Sequence, residues 1–279
     1  MFFILLYTDH AYTIDRIVLV GDSILDNAYW NGVNNNTTGQ CLVKILNSID
    51  NIQYKNGTYV LIDDRSVEEA TASAIVKALE GDGKINIPNK NSIFFESYIE
   101  RRKRNGVAYD STKDNSARLP KYCNIDNAIN IAQVNIKSDI KDSYVFISIG
   151  GNDLVLNSEY PVTIINNIKK IGTSYKNLGA KKVIYIIPYT MTNKAGLITC
   201  YAINTCRYIF KWLYLNNLKT EYYDDLIDLS YFDESHRKAQ YIIPEPTITG
   251  AAEIANLIIN SYIHVAVGNA SFQQEIISF

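Results

Sequence analysis

Five short apolar runs, separated by stretches of helical periodicity, constrain this chain more than any other feature. Strands are expected at 16–21, 58–63, 144–149, 182–187 and 225–229. Helical patterns lie between them at about 38–50, 66–80, 160–178 and 203–219, and a last one runs from about 250 to 265. In 203–219, Ile203, Cys206, Phe210, Leu213 and Leu218 recur near helical spacing, and Ile254, Leu257, Ile258 and Val265 do so in the last stretch. Strands joined through helices pair in parallel with right-handed crossovers. The expected fold is therefore of the α/β class: a three-layer α/β/α sandwich around a mostly parallel sheet of about five strands.

Two of the runs end on glycine turns that carry polar side chains. Residues 17–27 read Ile-Val-Leu-Val-Gly-Asp-Ser-Ile-Leu-Asp-Asn, and residues 144–153 read Tyr-Val-Phe-Ile-Ser-Ile-Gly-Gly-Asn-Asp. In an open α/β sheet, ligands bind outside the carboxyl ends of the strands. A serine held there is a candidate nucleophile; the alternative is that Asp22 or Ser23 caps a following helix. Together the two segments resemble the SGNH, or GDSL, hydrolases. The resemblance is closest to a branch with Gly-Asp-Ser-x-x-Asp-Asn, Gly-Gly-Asn-Asp and a late Glu-Pro-Ser/Thr-x-x-Gly, here Glu245-Pro246-Thr247-Ile248-Thr249-Gly250. It runs from about residue 17 to 265, apart from one long insertion. It implies the same flavodoxin-like sandwich, an ester hydrolase without a cofactor, and Ser23 as nucleophile with Asn152 donating to the oxyanion.

A serine hydroxyl is nearly inert near neutral pH, so a base within hydrogen-bond reach is needed. The three histidines are His10, His236 and His264. His236 follows the last strand, where the resembling family keeps its base, and Asp233-Glu234-Ser235-His236 has the family's Asp-x-x-His spacing. The resemblance thus gives Asp233 the role of orienting acid; otherwise this is a surface loop with a chance Asp-x-x-His. In the family, however, the histidine stands immediately before a proline. Registering on Pro246 and Gly250 puts Glu245 there and His236 nine residues earlier. Either a longer loop folds His236 back to Ser23, or Glu245 is the base, its pKa raised by burial. Glu245 can also serve merely to hold the loop.

A second departure concerns the oxyanion hole. The family's glycine after the second strand corresponds to Glu69 in Asp64-Arg65-Ser66-Val67-Glu68-Glu69-Ala70-Thr71. Ser66-x-x-Glu69 also reads as a capping box, which would engage the Glu69 N–H. Among the flanking residues, Asp22 and Asp26 read as turn and capping chemistry. Asn27 belongs to the branch pattern, and Asp153 is expected to order the loop that aims Asn152. These acids form no convincing metal site, and nothing resembles a phosphate loop or dinucleotide fingerprint.

The 279 residues are read as one domain, 1–279, with an insertion at about 81–143 that forms a cap or remains mobile. Within it, Arg101-Arg102-Lys103-Arg104 reads as a solvated helix face or as a contact for an anion or acidic lipid at a membrane surface. Net charge is -2, which gives no hint of nucleic-acid binding. Cys41, Cys123, Cys200 and Cys206 match no zinc pattern. Cys200 and Cys206 pair if the protein is exported, or stay as thiols. Phe2-Phe3-Ile4-Leu5-Leu6 is too short and lacks the basic flank of a usual signal peptide. No run reaches the roughly 18 apolar residues of a membrane span. The chain is expected to be soluble, secreted or cytoplasmic, acting on a small-molecule, lipid or carbohydrate ester. The alternatives are an acyltransferase using the same acyl-enzyme, or a catalytically impaired binding protein on this fold.

Overall fold

The computed structural model describes residues 13–25, 38, 41–42, 58–67, 70–86, 133–155, 159–188, 218, 221–229, 232, 236–238 and 245–267. The strands of the central sheet are β1 (Thr13–Gly21), β2 (Thr58–Asp64), β5 (Tyr144–Ser148), β6 (Lys182–Ile187) and β7 (Asp225–Asp228). They hydrogen-bond in the order β2-β1-β5-β6-β7, every pair parallel. The three-layer sandwich expected from the alternation of runs is the one observed. Counting only these strands, the order is 2-1-3-4-5, the flavodoxin-like arrangement whose direction of winding reverses between β1 and β5.

The strands read as unbroken apolar runs because both faces are covered. Val18, Val20, Val145, Ile147, Val183, Tyr185 and Ile187 pack on one side against α1 (Ala72–Glu80) and α3 (Pro161–Asn177). Ile17, Leu19, Tyr144, Phe146, Ile184 and Ile186 face the other way. They pack against α4 (Ile248–Val267), through Ile254, Ala255, Ile258 and Tyr262. Successive residues of one strand thus serve opposite layers, as the period of two requires.

α1 begins later than the helical pattern indicates. Its N-cap is Thr71, whose side chain accepts from the Ala74 N–H. Ser66 is not a cap; its hydroxyl donates to the Asp64 carboxylate. The chain after β2 instead continues to bond with the end of β1, Arg65 N–H to the Leu19 carbonyl at 2.8 Å and Val67 N–H to the Gly21 carbonyl at 2.8 Å. Glu69 lies outside the described residues.

After α1, β3 (Lys84–Asn86) pairs antiparallel with β4 (Gln133–Asn135). Ile85, Val134, Ile136 and Ile140 are buried in the core on the α1 side. Arg65 fastens this return to the sheet. It pairs with Asp63 at 2.5 Å and donates to the carbonyls of Ser138 at 2.5 Å and Asn135 at 3.3 Å. Residues 87–132, with Arg101–Arg104, lie outside the described residues, as do most of the helical stretches expected at 38–50 and 203–219. So do Cys123, Cys200 and Cys206; Cys41 is buried.

Candidate active site

β1 and β5 deliver their glycine turns side by side, since Gly21 is in register with Ser148. A Cβ on Gly21 would fall on the Ser148 carbonyl oxygen, so only glycine permits this approach. The next residue, Asp22, donates its N–H to the same carbonyl at 3.1 Å. The chain then turns: Leu25 N–H reaches the Asp22 carbonyl at 3.0 Å, and Ile24 N–H reaches Asp22 Oδ1 at 3.1 Å. This is an Asx turn, the turn chemistry expected of Asp22. It spans Ser23, which is 5% exposed. Asp26 and Asn27 lie outside the described residues.

The second turn is set by Gly150, whose φ of 113° is one that residues with side chains avoid. The short helix α2 (Gly151–Val155) follows and carries Asn152 and Asp153. Both are buried. Asn152 Nδ2 donates to the Ala70 carbonyl at 3.0 Å, which fixes the amide and leaves its second N–H proton uncommitted to that bond. Asp153 accepts from Ala72 N–H at 2.7 Å and Ser73 N–H at 3.2 Å. It therefore caps α1 from across the sheet edge, alongside Thr71. The loop before α1 is held by Gly21 on one side and by Asn152 and Asp153 on the other. Neither Ala70 nor the cross-edge cap is legible as a partner in the sequence.

Burial sets the electrostatics of these acids. Loss of hydration pushes the Asp22 carboxyl up to about 7, the Ile24 N–H opposing and the Asp153 charge adding to the rise. Burial also raises Asp153, against its two N–H bonds and with the help of Glu159. Glu159 sits close by, its N–H donating to the Asp153 carbonyl at 3.1 Å.

The third segment carries His236 and the Glu245-Pro246 motif. β8 (Arg237–Lys238) pairs antiparallel with β9 (Glu245–Pro246), Arg237 opposite Pro246 and Lys238 opposite Glu245. The nine-residue offset is thereby folded out as an antiparallel pair. His236 returns beside the start of α4, where its carbonyl accepts from Thr247 N–H at 2.9 Å. A Cβ on Gly250 would strike that same carbonyl. The half-buried His236 ring stacks on Phe232, centroids 4.7 Å apart and planes inclined by 31°. Asp233 lies outside the described residues, and of Glu245 only the backbone is described. Among the described residues, no group of three His, Cys, Asp or Glu is arranged to hold a metal ion. None of the described helices is long and apolar enough to cross a membrane.

No protein-family model matches the sequence, and no curated protein matches it. Solved structures do. The chain is similar to the "family 3 carbohydrate esterase" of Clostridium thermocellum at 15% identity and a TM-score of 0.51, over 93% of this chain and 100% of that one. It is similar to the "carbohydrate esterase family 3" of Talaromyces cellulolyticus at 12% identity and a TM-score of 0.51, over 91% and 100%. The chain shares the α/β/α fold of these two esterases.

Proposed function

We propose that this protein is a serine ester hydrolase working through an acyl-enzyme on Ser23. One observation carries the reading. Ser23 and Asn152 follow the two adjacent strands at the point where the winding reverses, and the Asn152 amide is fixed by the Ala70 carbonyl. In this scheme Ser23 Oγ bonds to the acyl carbon while His236 takes its proton. His236 then returns the proton to the departing alcohol as the ester C–O bond breaks, and water repeats the sequence to release the acid. Asp233 orients His236. The Asn152 side chain and the Ser23 N–H donate to the oxyanion, in a buried setting where fixed dipoles act strongly.

Glu245 is the alternative base, opposite Lys238 on the same antiparallel pair. The substrate class we favour is a small acyl ester of a carbohydrate, in line with the names of the two esterases that share the fold. An alcohol in place of water would make the same intermediate an acyltransferase. A binding protein on this fold is favoured by Glu69 standing where the resembling family has glycine, by the displaced His236 and by the long insertion.

The test is intact-mass analysis after treatment with a fluorophosphonate, on wild type and Ser23→Ala. A single adduct that disappears in Ser23→Ala is the expected result. No adduct, under conditions that label a control esterase, overturns the hydrolase in favour of the binding protein. A screen of acetylated sugars and p-nitrophenyl esters, with His236→Ala and Glu245→Ala, then assigns the base.

A further inference from the structure

Asp22 and Asp153 stand on the two turns that carry Ser23 and Asn152, and both are withdrawn from water, 2% and 0% exposed. Their hydrogen bonding is unequal. Asp153 accepts two backbone N–H bonds from the start of α1, where the helix dipole also favours a negative charge. Among the described residues, Asp22 accepts one N–H, from Ile24. Among the described residues, the charged group acting on Asp22 is Asp153, and Glu159 acts on Asp153 in turn. Two buried carboxyls so placed do not both ionise readily, and the one with more donors keeps the charge.

We propose that Asp22 is a positioning residue for Ser23, acting as the protonated member of a buried acid pair with Asp153. This rests on Ser23 being the nucleophile. The neutral carboxyl keeps its Oδ1 bond to Ile24 N–H, and so the turn that presents the serine, without a second negative charge beside the oxyanion donors. Losing its proton adds a buried negative charge to the turn that carries Ser23, opposing the charge that the tetrahedral intermediate develops. Burial, which holds the Asp22 proton to about pH 7, supplies the titration. Activity then has two opposed limbs: a rise as the base loses its proton, and a fall as Asp22 does.

The experiment is the pH dependence of fluorophosphonate labelling of Ser23, in wild type and Asp22→Asn. Asparagine preserves the acceptor for Ile24 N–H and cannot ionise. The wild-type rate is expected to fall above about pH 7, approaching tenfold per pH unit if only the protonated form reacts. The variant is expected to lack that fall and to react faster than wild type above pH 8, a gain that simple structural damage does not produce. Identical profile shapes overturn the pair while leaving the serine hydrolase standing. No labelling of wild type at any pH overturns the hydrolase itself. Carboxyl carbon-13 NMR of wild type provides a readout independent of activity and of the variant's folding. One aspartate resonance titrating near pH 7 is expected; none above pH 5.5 refutes the acid pair.

Discussion

The carbonyl of His236 lies against the Cα of Gly250, leaving no room for a side chain at that position. The first turn of α4 and the chain carrying the candidate base are thus seated on each other, backbone to backbone. Thr247 N–H adds a hydrogen bond to the same carbonyl. Gly250→Ala must push His236 away, because a backbone atom cannot swing aside as a side-chain end does. A shift near 1 Å at a catalytic group costs about 10²-fold in rate. The expected loss in Ser23 labelling is of that order, with α4 still formed by circular dichroism. Gly151 is the control for stability, since a Cβ there meets nothing within 4 Å. Gly151→Ala is expected to leave the melting temperature unchanged or slightly raised.

In the proposed mechanism Asn152→Ala removes an oxyanion donor, and it leaves the Ala70 carbonyl without its side-chain partner. Loss of one such donor typically lowers the chemical step by about 10²–10³-fold. Single-turnover acylation with a p-nitrophenyl ester measures it. A loss confined to KM would remove Asn152 from the oxyanion role.

Asp153→Ala uncaps α1. Two backbone N–H groups, of Ala72 and Ser73, lose a buried charged acceptor, which costs about 1–3 kcal/mol. Urea unfolding of the Ser23→Ala background reads this cost apart from any effect on catalysis.

Asp22 makes the fold less stable as pH rises. Its carboxyl is raised from 3.8 to about 7, so between those values the folded protein holds a proton that the unfolded chain has lost. The Asp22 contribution is fully present below about pH 4 and is lost as pH passes 7. The whole change is of order 4 kcal/mol. Asp22→Asn should remove this slope. Urea midpoints of the two proteins, compared at pH 5 and pH 8, therefore converge toward acid and separate toward alkali, the variant gaining relative to wild type.

Among the described residues, Arg65→Ala leaves the buried Asp63 with Arg16 at 3.8 Å, and it frees the carbonyls of Asn135 and Ser138. Breaking a buried pair from one side costs about 3–5 kcal/mol. Because Arg65 ties β4 to the end of β2, hydrogen exchange is expected to quicken first in residues 133–140.

The sheet was legible because its strands are buried on both faces, and such strands read as unbroken apolar runs whatever their neighbours. The placement of Ser23 and Asn152 after β1 and β5 was legible because each follows a strand whose end is marked by glycine. Local signals failed where long-range bonds decided. Ser66-x-x-Glu69 has the pattern of a helix start, but Val67 N–H is taken by the Gly21 carbonyl, and the helix waits until Asp153, 81 residues from Ala72, can cap it. The pairing of β8 with β9 involves two residues on each side, too few to leave any periodicity. The offset of His236 from Pro246 is spanned by this pairing, which no local pattern announces.

The antiparallel pair β3–β4 sets two distant points of the chain side by side. Asn86 sits opposite Gln133, so the two ends that residues 87–132 join are neighbours. Closing such a gap depends only weakly on how much chain spans it. A two-residue Asn-Gly turn joining Asn86 to Gln133 satisfies the geometry of a tight hairpin. A chain so shortened would be a chassis, in which the turns after β1 and β5 stay on their own sheet while whatever is grafted between β3 and β4 is varied.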